Sequence, residues 1–332
     1  MRFRAAVLFF AFGLFFLPSQ VNASGWNTGE NSVIGNDGAW SAFRTAMPGE
    51  AVSCRAVFHV EGGREYIARS AFSDGIALDA VSQPRQNGVP VNSSAYTVLT
   101  GESLRDRAFE IHFSSVFSAA GSVTLEIHYS VRLGDTAGEL NTCSVVLEGR
   151  GEHSSGEAAV IKTYGFTVCR GIGIADSGKQ INPLPGACYS LYSDAEMNER
   201  IAFIQKRDGT YLACSGKSCH HAHHAYLLRT RETGTAVLNG LPEGTFFLQE
   251  CRTPEGYGSM ANGLEVVVSA SGEITAGGVP LPERKVELVE RLADKSQRSS
   301  VRNDPLAFYI YGNRVLSVLL SLMVIFRKKL IA

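Results

Sequence analysis

The sequence predicts an all-β chain built as two tandem sandwiches, and three observations carry that prediction. Apolar and polar residues alternate in many short runs, among them FEIHF (109–113), VTLEIHYSV (123–131) and TFFLQE (245–250), which is the period of a half-buried strand. Glycine is frequent, at 34 of 332 residues, and with the other turn residues it punctuates those runs. Between the two chain ends no segment sustains a helical period, and the stretch has room for about two domains of ~100–200 residues each.

Both ends read as targeting segments. Arg2 and Arg4 precede the apolar stretch AAVLFFAFGLFFL, and Val21 and Ala23 follow with the small-residue spacing a signal peptidase reads. Residues 1–23 are therefore expected to be a signal peptide cleaved after Ala23, because the apolar stretch is too short to cross a bilayer core of about 30 Å. LAFYIYGNRVLSVLLSLMVIF (306–326) has about the twenty residues a spanning helix needs, and the basic tail 327–332 opens with Arg327, Lys328 and Lys329. Asn313 and Arg314 interrupt this run, and an arginine within a span costs about 2.5–3.5 kcal/mol on insertion scales. An amphipathic or buried C-terminal helix is the alternative to a transmembrane helix.

Composition excludes some classes of function. A formal net charge of −1 and a pI near 6.7 leave no basic field to attract a phosphate backbone, so nucleic acid is not expected as a partner. The chain has no Gly-x-Ser-x-Gly, His-Glu-x-x-His or phosphate-loop motif, and neither an enzyme nor a cofactor is expected. The expected class is a binding or structural protein exported to the cell surface and anchored in the membrane by its C-terminal helix.

Seven cysteines in an exported chain make disulfides permissible, and the odd count leaves at least one thiol free or paired with another chain. Spacing alone does not fix the connectivity, although Cys214 and Cys219 are close enough to close a small loop. The segment CSGKSCHHAHHAY (214–226) also gathers His220, His221, His223 and His224, residue types that ligate zinc or copper. A polar loop tip closed by a small disulfide is the plainer reading. An exported metal-binding protein using this loop is kept as an alternative function.

The segment LPEGTFFLQECRTPEGYG (241–258) resembles a signature strand and turn of the prealbumin-like, collagen-adhesin B-type domains of Gram-positive pilins. Upstream, TYGFTVCRG (163–171) is similar to the first strand of that domain and LPGACYSLYSD (184–194) to its second. Residues 48–161 resemble the fimbrial isopeptide-forming domain that often precedes it, through PGEAVSCRAVFHV, EYIARSAFSDGIAL, VTLEIHYSVRL and ELNTCSVVLEG. The resemblance implies two immunoglobulin/prealbumin-like sandwiches in a pilin-like or adhesin-like surface protein. The expected organisation is an N-terminal extension at 24–47, a first sandwich at 48–161, a second at 162–284 and a linker or degenerate sorting region at 285–305. Expected partners are a host or neighbouring-cell surface ligand, or other pilus subunits.

Domains of this kind are commonly locked by an amide between a buried lysine and an asparagine or aspartate, assisted by a buried acid. Carried over residue by residue, the resemblance places Arg170 where the second domain has its lysine, and a guanidinium that stays protonated is a very poor nucleophile. Glu250 matches the assisting acid. In the first domain Asn141 matches the acceptor, Ser70 stands where the assisting aspartate is expected, and no lysine precedes Lys162. Neither amide is therefore expected.

Cysteines are expected to take over the locking role. Cys54 with Cys143 would tie the first domain, and Cys188 with Cys251 the second, closing a loop of about sixty residues worth roughly 4 kcal/mol. Cys169 would then stay unpaired. Such proteins usually carry a Leu-Pro-x-Thr-Gly sorting signal, but QRSSV (297–301) occupies its place and LADKS (292–296) is a poor substitute. Membrane retention is accordingly expected, with cell-wall or pilus attachment as a minor subunit through a non-standard sortase signal as the alternative. Lys162, at the domain junction, is read as a solvated linker residue or a polymerisation lysine.

Overall fold

The computed structural model describes residues 29–101, 104, 108–114, 121–149, 152–174, 181–215 and 225–292. The chain ends, with the expected signal segment and C-terminal helix, lie outside the described residues, as do Cys219 and His220, His221, His223 and His224. Among the described residues no helix is long and apolar enough to cross a membrane, and the regular structure is mainly strand, with a short 3-10 turn at Ser93–Ala95.

The first core is enclosed by β1 (Glu30–Ile34), β2 (Trp40–Ser41), β3 (Phe43–Thr45), β4 (Ala51–Glu61), β5 (Tyr66–Phe72), β6 (Ile76–Val81) and β7 (Arg85–Gln86). β8 (Val89–Pro90), β9 (Tyr96–Thr100), β10 (Phe109–Phe113), β11 (Ser122–Leu133), β12 (Leu140–Gly149), β13 (Glu152–Ser155) and β14 (Ala159–Lys162) complete it. One sheet runs β2-β1-β4-β11-β7-β8, with β6 also on β11, and the other runs β3-β14-β12-β5-β10-β9, with β13 on β12. The strict alternation of β11, SVTLEIHYSVRL, sends Val123, Leu125, Ile127, Tyr129, Val131 and Leu133 into the core, as period-two patterning requires.

The second core is built from β15 (Tyr164–Ile174), β16 (Ile181–Pro183), β17 (Cys188–Tyr192), β18 (Ala202–Gln205), β19 (Tyr211–Cys214) and β20 (Leu228–Arg229). It continues with β21 (Thr235–Leu241), β22 (Gly244–Arg252), β23 (Leu264–Val268), β24 (Ile274–Ala276), β25 (Val279–Pro280) and β26 (Lys285–Leu292). Its sheets run β16-β15-β21-β19-β18, with β26 on β15, and β20-β17-β22-β23-β24-β25. Ala187, Tyr189, Leu191, Phe246 and Leu248 all point into this core.

Two boundaries read from the sequence are corrected. Residues 24–47 are not merely an extension, because β1 pairs with β4 and β3 pairs in parallel with β14, so this segment supplies strands to both sheets of the first sandwich. Residues 285–292 are not linker but the last strand of the second sandwich, joined to β15 over eight registered pairs from Thr167↔Lys285 to Ile174↔Leu292. The charges at Lys285, Glu287 and Arg291 disguise an inward face of Val286, Leu288 and Glu290.

The two sandwiches meet without a free linker. β14 ends at Lys162 and β15 begins at Tyr164, and the intervening Thr163 is buried, donating its N–H to Glu139 O (3.0 Å) and its hydroxyl to Gly138 O (2.9 Å). Ser215 N donates to Pro48 O at 2.9 Å, Met47 packs against the second core, and Arg284 pairs with Glu139 at 2.9 Å. Lys162 is correspondingly a strand residue rather than a linker residue, with its ammonium 4.6 Å above the Phe43 ring, a cation–π contact.

Candidate functional site

In each sandwich polar side chains join the two sheets through the core. In the second, the inward period of β15 runs Phe166, Val168, Arg170, so that a guanidinium is delivered where an apolar side chain would otherwise sit. Arg170 is 1% exposed, yet its donors are all engaged. Nε donates to Glu250 Oε1 (3.4 Å), Nη1 to the carbonyls of Gly171 (3.3 Å) and Leu288 (3.5 Å), and Nη2 to Gly258 O (2.7 Å) and Glu290 Oε2 (3.1 Å).

The carboxylates are also saturated. Glu250 Oε2 accepts from Met260 N at 2.6 Å, and Glu290 Oε2 accepts from Gly258 N at 3.1 Å. Glu250 has a side chain with no exposure and Glu290 one of 8%. The cluster therefore ties β15 and β26 of one sheet to β22 of the other, and pins the 258–260 turn across them. Full satisfaction is what makes such a buried ionic group tolerable, since each partner removed leaves an uncompensated charge in the core.

The resemblance points to both Arg170 and Glu250, and the structure brings them together at 3.4 Å. Glu290 was missed, because the resemblance directs attention to a lysine, an acid and an acceptor amide, and 285–305 was read as linker. The signal was present: Val286, Leu288 and Glu290 share one strand face, and a carboxylate in an inward position demands a buried partner.

In the first sandwich Asn31 on β1 accepts from Val145 N on β12 at 2.9 Å, and a pair of thiols also bridges the sheets. Cys54 on β4 and Cys143 on β12 are both fully buried, and their sulfurs are 3.6 Å apart. Their hydrogen bond, together with burial, pushes the Cys54 thiol up, and the same bond pulls Cys143 down. Tyr129 lies against the pair, and burial, first of all, pushes its phenol up, with the two sulfurs adding to the shift.

The other first-domain residues singled out do not meet. Asn141 is fully buried, its amide donating to Gly138 O (2.9 Å) and Ile161 O (3.2 Å) and its carbonyl accepting from Gly138 N (3.1 Å). Ser70 is in register with Val145, four positions along β12 from Asn141, and its hydroxyl serves Phe109 O, Phe109 N and Ala108 N. Both side chains are thus occupied in holding backbone.

Cys188 and Cys251 are free thiols on β17 and β22, which are antiparallel neighbours with a register shift between Cys188 and Tyr189. Cys188 is buried, whereas Cys251 is exposed with its sulfur 3.2 Å from Ser190 Oγ. Cys169 is a half-buried free thiol on β15. Cys214 is disulfide-bonded, and its partner lies outside the described residues. Among the described residues no group of histidine, cysteine and acidic side chains is placed to hold a metal ion.

With this geometry in hand, comparison with known proteins is informative. Residues 172–279 match the family described as SpaA, a prealbumin-like fold domain. Among solved structures, the chain is similar to the pilus backbone RrgB from Streptococcus pneumoniae, at 11% identity and a TM-score of 0.52 over 79% of this chain and 99% of that one. It is also similar to a 35 kDa C-terminal fragment of the major pilin GBS80 of Streptococcus agalactiae, at 13% identity and a TM-score of 0.51 over 80% and 98%. No curated protein matches the chain by sequence. Residues 172–279 thus carry a prealbumin-like fold domain of the SpaA family, within a two-sandwich fold similar to that of the pilus backbone and major pilin structures.

Proposed function

We propose that this protein is a structural or adhesin-like component of a Gram-positive cell surface, whose sandwiches are locked without isopeptide bonds. The observation that carries the reading is the fold, which spans nearly the full length of a pilus backbone structure while its core positions hold Arg170 and a cysteine pair. In this reading the first sandwich, β1 to β14, is a degenerate fimbrial isopeptide-type domain, and the second, β15 to β26, the prealbumin-like one. The signal 1–23 directs export, and 306–326 holds the chain in the membrane. Its partners are other pilus subunits or a ligand on a neighbouring or host cell.

Support for the lost chemistry comes from the residues themselves. The amide requires a neutral amine in the core; the first domain has no lysine before Lys162, and Lys162 lies over Phe43. In its place Cys54 and Cys143 join the same two sheets. Their oxidation closes 3.6 Å to a bond of about 2.0 Å, with two electrons and two protons passing to an extracellular disulfide oxidant. Cys188 with Cys251 is the corresponding candidate bridge in the second domain.

Cell fractionation tests the surface reading. Membrane retention predicts that detergent extracts all of the protein as a monomer from intact envelopes. Covalent ladders that survive hot detergent would instead show sortase-type assembly, and protein remaining in the cytosol would defeat the surface assignment.

A further inference from the structure

The strand order of the second sandwich has a mechanical consequence. Its first strand, β15, and its last, β26, are neighbours and run parallel, with Thr167 opposite Lys285 and Ile174 opposite Leu292. Tension on the two ends of the chain enters this sandwich at Tyr164 and leaves it at Leu292. It therefore drags the strands in opposite directions along their common axis. All eight registered pairs are then loaded together, whereas a ladder opened from one end breaks its bonds singly. Parallel ladders have evenly spaced, slanted hydrogen bonds, so the load is shared along their length.

Arg170 sits within this ladder. Its guanidinium reaches across to Leu288 O and Glu290 Oε2 on β26 and to Glu250 on the opposite sheet. Sliding β26 past β15 must break these contacts as well as the ladder, and breaking them leaves buried charges without partners. The first sandwich lacks this terminal pair: its first strand β1 pairs antiparallel with β2 and β4, and the parallel neighbour of its last strand β14 is β3, over three pairs from Val160↔Phe43 to Lys162↔Thr45. Because β14 runs into β15 across buried Thr163, load passes from one sandwich to the next without a slack segment.

We propose that the second sandwich is a load-bearing clamp, in which end-to-end force is carried as shear by the β15–β26 ladder and Arg170 with Glu290 is its lock. The biological source of load rests on the surface reading above, but the mechanical claim is measured separately. A weak clamp in a membrane-retained protein would sink this inference alone.

Single-molecule pulling of the full chain tests it. Handles at the two chain ends load the ladder in shear. A second handle ligated at position 283, beside the start of β26, loads the same ladder from one end together with the N-terminus. The second sandwich should rupture at higher force in the first geometry than in the second. Glu290→Gln should speed rupture under end-to-end load about tenfold, as expected for weakening one charge-assisted hydrogen bond, and should leave the other geometry nearly unchanged. Equal rupture forces in the two geometries overturn the proposal, as does an end-to-end rupture rate indifferent to Glu290→Gln. Should that variant fail to fold, the two pulling directions on the unsubstituted chain decide the question.

Discussion

Replacing Cys54 with serine is expected to cost the first sandwich about 4.5 kcal/mol in the oxidised protein. The two cysteines are 89 positions apart, and in the chain-entropy account a cross-link closing a loop of about that length removes roughly this much free energy from the unfolded state's advantage. For a domain of this size the melting temperature should fall by roughly 10–20 °C. The check is calorimetry of the wild-type and Cys54→Ser proteins with and without reductant. Reduction should bring the wild type down toward the variant and change the variant little. Because oxidation proceeds through a thiolate and Cys143 is the thiol held down, disulfide formation from the reduced protein should quicken as pH rises.

Arg170→Ala is expected to destabilise the second sandwich by about 3–5 kcal/mol, the usual cost of leaving buried carboxylates without their counterion. Glu250 and Glu290 would keep their backbone donors from Met260 and Gly258 but face each other across a cavity. Replacing all three members with apolar residues of similar volume should be far milder, neutral or even stabilising in equilibrium denaturation. Urea titrations of the single and triple variants separate the two cases. A single variant losing less than about 1 kcal/mol, the range of an exposed ion pair, would show that the cluster is wet.

Much of this architecture is legible in the sequence because strands declare themselves through a period of two. β4, β11, β12 and β22 have burial patterns that alternate as their sequences do. What escaped was strand material at the margins. β1 reads ENSVI and β3 reads FRT, each too short to establish a period, and they belong to the sandwich only through β4 and β14, distant in sequence. β26 was hidden by its charges, and with it Glu290.

The candidate site shows the same division. The resemblance singles out Arg170, at the lysine position, and Glu250, at the position of the assisting acid. That the cluster is a saturated triad depends on β15 and β26 being parallel neighbours, and on the 258–260 turn offering a carbonyl and two N–H groups. No local pattern encodes those placements. Likewise Cys54 and Cys143 become a pair only when two sheets are stacked face to face.

The claim that binds these features together is that a pilin-type scaffold has kept its inter-sheet ties while exchanging their chemistry. Intact mass spectrometry of the purified protein, with and without reductant, tests it most directly. The mass should match the sequence less only the hydrogens removed by disulfides, and full reduction should restore the whole difference. A deficit of about 17 Da per domain that survives reduction, the ammonia released when a lysine amine attacks a carboxamide, would contradict it.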